Sequence, residues 1–348
     1  MNTVVDDPFA LVVGQERAIE QLRGAAQNPV HAYLFVGPRG AGKRRAAAAV
    51  AGEWIGAPSD RERSRRMVRT EDHPDLIVFE PEGNAYLMIE AEQVVVAASR
   101  APVEGGAKVI VLDRFHDASA EVAAKLLKTI EEPPPSTRFV LLAQEVPPEH
   151  VTIASRSTRI DFPSVPVTAI AEALSARGVE PDLAKAAAEG SGGDVSRAEL
   201  LVDDVEFAER RAMWWDAPSR LDGSGFAATE VAKEVRKAIE EAQAPLDAKH
   251  VVESATMDAT EELTGTRGSG RRAMEARHKR EARLHRTDEW RMGLATLALR
   301  YRSAVVDGSR DPAIFATLND AAEALVRNPN EELWLTALLL ELPPLPSG

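Results

Sequence analysis

The chain has 348 residues, among them 42 lysines and arginines, 55 aspartates and glutamates and no cysteine, and its formal net charge is −13. This length suffices for two or three domains of roughly 100–200 residues each. The absence of cysteine excludes disulfides, thiolate zinc sites and a cysteine nucleophile. The acidic balance argues against a protein that coats nucleic acid by charge alone.

No membrane segment is expected, because the chain has no run of about 18 apolar residues. The first residues, MNTVVDDPFALVVGQ, carry acids where a signal peptide carries Lys or Arg. We therefore expect a cytoplasmic protein without a membrane partner.

In the first half of the chain, short apolar runs typical of strands alternate with helical patterns. Their centres are almost continuously apolar, as expected for strands that are buried on both faces of a parallel sheet. The candidate strands are Tyr33–Val36, Asp75–Phe79, Lys108–Asp113, Arg138–Ala143 and Thr158–Phe162.

Beyond about residue 166 the pattern is helical almost to the end. It is interrupted at Gly190–Gly193 and again at Thr264–Gly270, a Gly/Ser/Thr stretch for which we predict no regular structure. We predict an α/β domain at residues 1–165, a small helical domain at 166–204 and a larger all-α domain at 205–348.

The strongest local motif is GPRGAGKR at residues 37–44, which follows an apolar strand and opens an Ala-rich helix. This context is typical of a P-loop, in which Gly37, Gly40 and Gly42 let backbone N–H groups approach phosphate and Lys43 reaches the β- and γ-phosphates. Arg44 stands where a Ser or Thr hydroxyl would hold Mg²⁺. The loop can still hold ATP or another nucleotide, or it can be a strand–helix turn without one.

A second strand ends in Asp113, as a Walker B strand does. A hydrolytic enzyme would carry a glutamate at the next position to polarise the attacking water, and here that residue is Arg114. Arginines therefore occupy two catalytic positions, which is typical of a site that has lost hydrolysis.

The predicted helix Ala118–Ile130 ends in Glu131-Glu132-Pro133-Pro134-Pro135. Carboxylates at a helix C-terminus oppose the macrodipole, at about 0.3–1 kcal/mol each when exposed. Such a choice indicates a role outside the helix, although a solvated acidic loop explains it as well.

Four segments together resemble the bacterial replicative clamp-loader family, and within it most closely the delta-prime subunits. They are HAYLFVGP at residues 31–38, HPDL at 73–76, AKLLKTIEEPP at 124–134 and SRS at 155–157. The helix with its EEPP ending is the most specific of the four. The resemblance covers about residues 9–165 well, is weaker beyond, and includes a similarity of Arg277–Arg302 to the family's C-terminal helices.

The resemblance implies an AAA+ P-loop domain at residues 1–165, a helical lid at 166–204 and a helical collar at 205–348. It further implies a component of the DNA polymerase III holoenzyme that is not itself catalytic. In this family such a subunit is a stator, a largely rigid subunit that does not hydrolyse ATP. It joins delta and ATP-hydrolysing motor subunits in a hetero-pentamer that loads the sliding clamp onto primed DNA. By the same resemblance Arg156 is an arginine finger, offered in trans to the nucleotide of a neighbouring motor subunit. Without the resemblance, a lone arginine in a loop is a surface residue or a salt-bridge partner.

Two departures from the family pattern are evident. Relatives often carry a four-cysteine zinc module in the interval that corresponds to Trp54–Glu71, which here has no cysteine and is rich in arginine. We therefore expect no zinc and a solvated stretch in its place. Arg197 lies one place later than the sensor-2 arginine of motor subunits, and no role is assigned to it.

The densest cluster of cations lies at residues 271–286 and includes Arg277, Arg280 and Arg283. On a helix these residues fall on several faces, so the cluster is either a solvated helix or a contact with DNA or an acidic partner.

Two other functions stay open. One is an ATP-hydrolysing motor subunit of the same machine, which requires Arg44 and Arg114 to be tolerated. The other is a stand-alone P-loop enzyme such as a nucleotide-dependent kinase, which leaves the EEPP helix and the long helical tail unexplained.

Overall fold

A computed structural model describes residues 7–56, 60–81, 85–204, 206–264, 271–325 and 329–346. The chain divides into two compact units. The first comprises Met1–Arg177 with Gly193–Ser196, and the second comprises Gly178–Gly192 with Arg197–Gly348. The predicted domain boundaries at residues 165 and 204 stay a prediction.

The first unit contains a five-stranded parallel sheet with the order β2-β3-β4-β1-β5. Its strands are β1 (Ala32–Val36), β2 (Leu76–Phe79), β3 (Lys108–Leu112), β4 (Thr137–Ala143) and β5 (Thr158–Asp161). All five predicted strands are confirmed, with ends that differ by one residue. Every residue of β1 and β3 is buried, because helices cover both faces of the sheet.

Two hydrophobic clusters, one on each face, hold the sheet between its helices. Tyr33 and Phe35 of β1 point into one cluster, whereas Leu34 and Val36 point into the other. The helices on the first face are α1 (Glu16–Gln27), α2 (Lys43–Ile55) and α3 (Arg61–Arg69); those on the second are α4 (Met88–Ser99), α5 (Ala120–Glu131) and α6 (Val151–Ala154). Helix α7 (Val167–Ala176) completes the unit. The predicted α/β class is confirmed.

The arginine-rich stretch differs from the expectation that it is solvated. It forms α3, whose Ser64 and Val68 are buried against α2. The two helices approach closely because α2 presents a glycine: a Cβ on Gly52 would lie 3.3 Å from the Cα of Arg65. Arg61, Arg63, Arg66 and Arg69 are exposed on the outer face of α3, whereas Arg65 faces α2 and pairs with Glu53.

The described part of the second unit is helical, as predicted. Its helices are α8 (Pro181–Gly190), α9 (Val195–Asp203, whose first two residues belong to the first unit), α10 (Phe207–Asp216), α11 (Gly225–Thr264), α12 (Arg271–Val306), α13 (Ile314–Ala324) and α14 (Glu331–Glu341). Its core contains Trp290, whose ring meets Trp214 and Trp334 edge to face at 6.0 and 5.2 Å. Gly293 makes room for Trp214, because a Cβ there would lie 2.1 Å from the indole. Within the predicted interruption at Thr264–Gly270, residues 265–270 lie outside the described residues.

Among the helices that the structure describes, none combines the length and the apolar character needed to cross a membrane.

Candidate functional site

The predicted P-loop connects β1 to α2, and its glycines meet local requirements of the backbone. A Cβ on Gly37 would lie 1.9 Å from the carbonyl oxygen of Phe162, so no larger residue fits there. Gly40 and Gly42 have φ angles of 77° and 85°, in the left-handed region that favours glycine. Glycine is therefore required at these three positions of the turn between β1 and α2.

Lys43, the first residue of α2, folds back onto this loop. Its Nζ donates hydrogen bonds to the carbonyl oxygens of Gly37 and Pro38, at 2.6 and 2.7 Å. Burial lowers the pKa of Lys43 to about 8, although the charges of Asp113 and Asp194 oppose the shift. The ammonium is thus held by the carbonyls of its own loop.

The segment Gly193–Ser196, part of the same compact unit, packs against the loop. A Cβ on Gly40 would lie 2.3 Å from the Cβ of Asp194, and the backbone N–H of Val195 donates to the carbonyl oxygen of Gly40 at 3.3 Å. The loop is therefore covered on this side by backbone and by a carboxylate-bearing residue.

Arg44 binds three carboxylates at the position where a P-loop hydroxyl would hold Mg²⁺. Its Nε and Nη2 donate to the two oxygens of Glu71 at 2.7 and 2.8 Å, and its Nη1 donates to Glu80 and to Oδ2 of Asp113, each at 3.1 Å. The hydrogen bonds with Glu71, followed by the charges of all three acids, raise the pKa of Arg44 despite burial. A guanidinium thus neutralises the carboxylate that a Walker B strand would offer to the metal.

Arg114, which stands in the sequence where a catalytic glutamate would follow the Walker B strand, pairs with Asp117. Its Nε donates to Oδ2 of Asp117 at 2.8 Å, and its backbone N–H donates to Oδ1 of Asp113 at 2.8 Å. Arg114 and Glu71 have φ angles of 52° and 61°, and among the described residues they alone of the non-glycines have positive φ. Both flank Arg44 and Asp113, and backbone strain of this kind clusters at functional sites.

Arg156 lies in the turn between α6 and β5. Its Nε lies 2.8 Å from Oε1 of Glu131, the last residue of α5, and its Nη1 donates to the carbonyl oxygen of Thr152 at 3.1 Å. The side chain is 40% exposed. It is therefore a surface group with two anchors on its own domain.

The P-loop and Arg156 lie at opposite ends of the parallel strands, the P-loop at their carboxyl ends and Arg156 at their amino ends. The loop begins where β1 ends at Val36, whereas Arg156 precedes the first residue of β5, Thr158. The two strands are parallel neighbours, with Tyr33 paired to Thr158, so about 10 Å of strand separates the two ends. Of the predicted site residues, the structure brings the P-loop and Asp113 together and keeps Arg156 away from them.

Arg197 belongs to the core of the second unit. Its Nη2 donates to Oε1 of Glu289 at 2.9 Å, and Arg210 donates through Nε to the other oxygen at 3.0 Å. The side chain of Glu289 is 1% exposed. These contacts give Arg197 a structural role in an ion network that joins α9, α10 and α12.

The basic cluster at 271–286 is partly paired. Arg271 contacts Asp258, and the Nε of Arg286 donates to Glu331 at 2.6 Å. The side chains of Arg277 and Arg280 lie outside the described residues.

Several site residues were not identified in the sequence. Glu71 and Glu80 lie in segments without a motif, and Gln15 bridges the carbonyl oxygens of Ala41 and Pro163 at 3.1 and 2.8 Å. Nothing in the sequence around Glu71, Glu80 or Gln15 indicated which residues they contact. In the described part of the chain, no three His, Asp or Glu side chains are arranged to hold a metal ion.

Comparison with known proteins gives the following similarities. Residues 14–166 match the family described as DNA polymerase III, delta subunit. The delta-prime subunit of Bacillus subtilis is 30% identical over 187 residues, which are 52% of this chain and 56% of that protein. The delta-prime subunit of Pseudomonas aeruginosa is 33% identical over 152 residues, covering 41% of this chain and 45% of that protein.

A tau subunit is also similar. That of Bacillus subtilis is 34% identical over 170 residues, covering 47% of this chain and 30% of that protein. The chain thus spans about half the length of the delta-prime relatives and about a third of the tau relative.

Proposed function

The chain is delta-prime-like over residues 14–166, and on this premise we propose that it is a non-hydrolysing subunit of the bacterial DNA polymerase III clamp loader. In this role it helps load the sliding clamp onto primed DNA. It supplies Arg156 to the nucleotide of a neighbouring ATPase subunit and does not turn over ATP itself.

The contact between Arg44 and Asp113 carries the non-hydrolysing part of the proposal. Hydrolysis at a P-loop needs Mg²⁺ between the loop hydroxyl and the Walker B carboxylate. Here the carboxylate of Asp113 receives a hydrogen bond from a guanidinium 3.1 Å away. Because a guanidinium cannot coordinate a metal ion, this contact supports a loop that does not bind magnesium in the usual way.

The residues present fit a phosphate better than they fit its metal. Gly40 and Gly42 have the left-handed φ angles that favour glycine, and Lys43 has three donors that can leave the carbonyls of Gly37 and Pro38 for a phosphate oxygen. The carboxylates of Glu71, Glu80 and Asp113 all pair with Arg44, whose guanidinium takes the place beside Asp113 where a metal ion would bind. We propose that any ATP held here is bound without Mg²⁺ and is not cleaved.

The position of Arg156 supports action in trans. It lies at the amino ends of the strands, opposite its own P-loop, and its side chain is 40% exposed. A guanidinium matches phosphate oxygens in geometry and stabilises the charge that develops in phosphoryl transfer. Because its own P-loop lies at the other end of the strands, this position supports contact with a nucleotide on another subunit.

The proposed partners are motor and delta subunits, joined through the helical residues 205–348 into a hetero-pentamer. The similarity to both delta-prime and tau subunits supports such a complex. The similarity to tau also keeps an ATP-hydrolysing motor subunit as the second candidate, which Arg44 and Arg114 argue against.

Two measurements test the proposal. The purified chain should show no Mg²⁺-dependent ATPase activity; turnover would favour the motor subunit. In a loader assembled with its motor and delta subunits, Arg156→Ala should lower the DNA-stimulated ATPase while the complex stays intact on gel filtration.

The matched control is Arg159→Ala. Arg159 is also exposed and lies in β5, three residues after Arg156, where it pairs with Asp161. It should leave ATPase activity unchanged. Normal turnover in the Arg156→Ala loader would contradict the arginine-finger role, and failure to form a complex with the partners would favour a stand-alone enzyme.

A further inference from the structure

Glu131 stands at a position that is unfavourable for its own helix. It is the last residue of α5, where its carboxylate faces the negative end of the helix dipole. The next residue, Glu132, is the C-cap and has the same charge. Helix stability alone therefore does not explain the choice of an acid at this position.

The contact with Arg156 supplies an explanation. Oε1 of Glu131 lies 2.8 Å from the Nε of Arg156, which joins the end of α5 to the turn before β5. Both side chains are close to 40% exposed, at 40% and 42%. Exposed ion pairs add little to the stability of a fold, so the pair has more to do with where the guanidinium lies than with holding the domain together.

The geometry leaves one side of the guanidinium available. Nε lies 2.8 Å from Oε1 of Glu131 in an ion pair, and Nη1 donates to the carbonyl oxygen of Thr152 at 3.1 Å and to Oγ of Ser155 at 3.4 Å. Among the described residues, Nη2 has no hydrogen-bond partner. Because the guanidinium is planar, fixing two of its nitrogens also fixes the direction of the third.

We propose that Glu131 is a positioning residue for Arg156: its carboxylate holds Nε so that Nη2 points to the phosphate of a neighbouring subunit. The inference rests on the proposed function, and it links the EEPP ending of α5 to the Ser-Arg-Ser turn. A free arginine side chain samples many rotamers, and holding it in one before the partner binds removes an entropic cost from the transition state.

The test compares variants in the assembled loader. Glu131→Ala should lower kcat of the DNA-stimulated ATPase by about threefold to tenfold, with KM for ATP unchanged, because orientation is lost but the arginine remains. Glu131→Asp, which keeps the carboxylate charge of the ion pair, should recover part of the activity. The double variant Glu131→Ala/Arg156→Ala should be no slower than Arg156→Ala alone.

Glu132→Ala is the matched control. It removes a carboxylate at the same helix end without touching Arg156, and it should leave kcat unchanged. Gel filtration and the thermal unfolding midpoint should show that every variant folds and assembles. Wild-type or faster turnover in Glu131→Ala, or a double variant slower than Arg156→Ala, would overturn the inference.

Failure of the inference and failure of the proposed function can be told apart. If Arg156→Ala lowers turnover and Glu131→Ala does not, only the positioning role is wrong. If Arg156→Ala leaves turnover unchanged, both are wrong.

Discussion

Arg44 donates a hydrogen bond from Nη1 to Oδ2 of Asp113 at 3.1 Å, and so connects the start of α2 to the end of β3. Arg44 stands where a P-loop would carry a hydroxyl, and it pairs with the carboxylate that a Walker B strand would offer to a metal ion. Glu71 and Glu80 complete the surroundings of the guanidinium. Four predictions concern the sites around this contact and the core of the second unit.

Arg44→Thr should lower the free energy of unfolding by about 1–3 kcal/mol, because it leaves three carboxylates without their cation. Mg²⁺ should restore part of the loss in the variant, since the new hydroxyl and Asp113 can share the ion, and should have no such effect on the native chain. Urea denaturation with and without Mg²⁺ measures both effects. Arg69→Thr, at the exposed end of α3, is the control, and an equal midpoint for the two variants would contradict the role of the network.

Lys43 should acylate with a pH profile whose midpoint is about 8, because burial lowers its pKa to about 8. An ordinary lysine is less than about 1% neutral at pH 8, whereas half of Lys43 is the reactive amine. Pulse labelling with acetic anhydride, followed by peptide mass spectrometry, measures the profile, with exposed Lys237 as the reference. Identical profiles for the two lysines would contradict the shift, and protection of Lys43 by ATP would show that the loop binds nucleotide.

Gly40→Ala should destabilise the first unit more than Gly42→Ala, by about 1–3 kcal/mol. Both residues have positive φ, so both variants carry the same kind of backbone strain. A Cβ at Gly40 would also collide with Asp194 at 2.3 Å, whereas at Gly42 the nearest atom is Cγ1 of Val12 at 3.8 Å. Urea midpoints of the two variants isolate the contact between the loop and Asp194; equal midpoints would mean that Asp194 moves aside.

Glu289→Gln should cost about 3–5 kcal/mol of unfolding free energy, because it leaves Arg197 and Arg210 buried without their shared carboxylate. Glu209→Gln, on the exposed side of α10, is the control and should change the free energy by less than about 0.5 kcal/mol. Chemical denaturation monitored by tryptophan fluorescence is suitable, since Trp214 and Trp290 lie in the same core. A loss equal to that of the control would mean that the network is dispensable.

The strands and the P-loop could be predicted from sequence because their physical causes are local. A strand such as Lys108–Leu112 is buried on both faces and must be apolar along its centre, and a loop with φ angles of 77° and 85° must use glycine. The same reasoning missed α3. Most of its residues are arginines or other polar residues, and only Ser64 and Val68 are buried, so the segment shows no apolar face. The spacing of Ser64 and Val68, one helical turn apart, was the available signal.

The partners of the charged residues could not be predicted. The sequence indicated that Arg44 and Arg114 are unusual, but not that Arg44 binds Glu71 and Glu80 or that Arg114 turns to Asp117. Which acid faces which arginine depends on how distant segments meet in the fold, and many acids were equally eligible. The unfavourable Glu131 was visible as an anomaly; its partner became visible only in the structure.

The separation of Arg156 and the P-loop at opposite ends of the parallel strands gives the chain a direction. A two-fold symmetric contact joins the same surface of both partners. An arginine at one end of the strands that serves a nucleotide loop at the other end joins two different surfaces, so such a contact cannot be two-fold symmetric. In the proposed complex the contacts of this subunit would be heterologous, from head to tail, and a loop that does not hydrolyse ATP would leave a neighbour's arginine no reaction to assist. In the proposed complex, such a chain would therefore mark one terminus of a row of ATPase subunits and set the order in which the rest can follow.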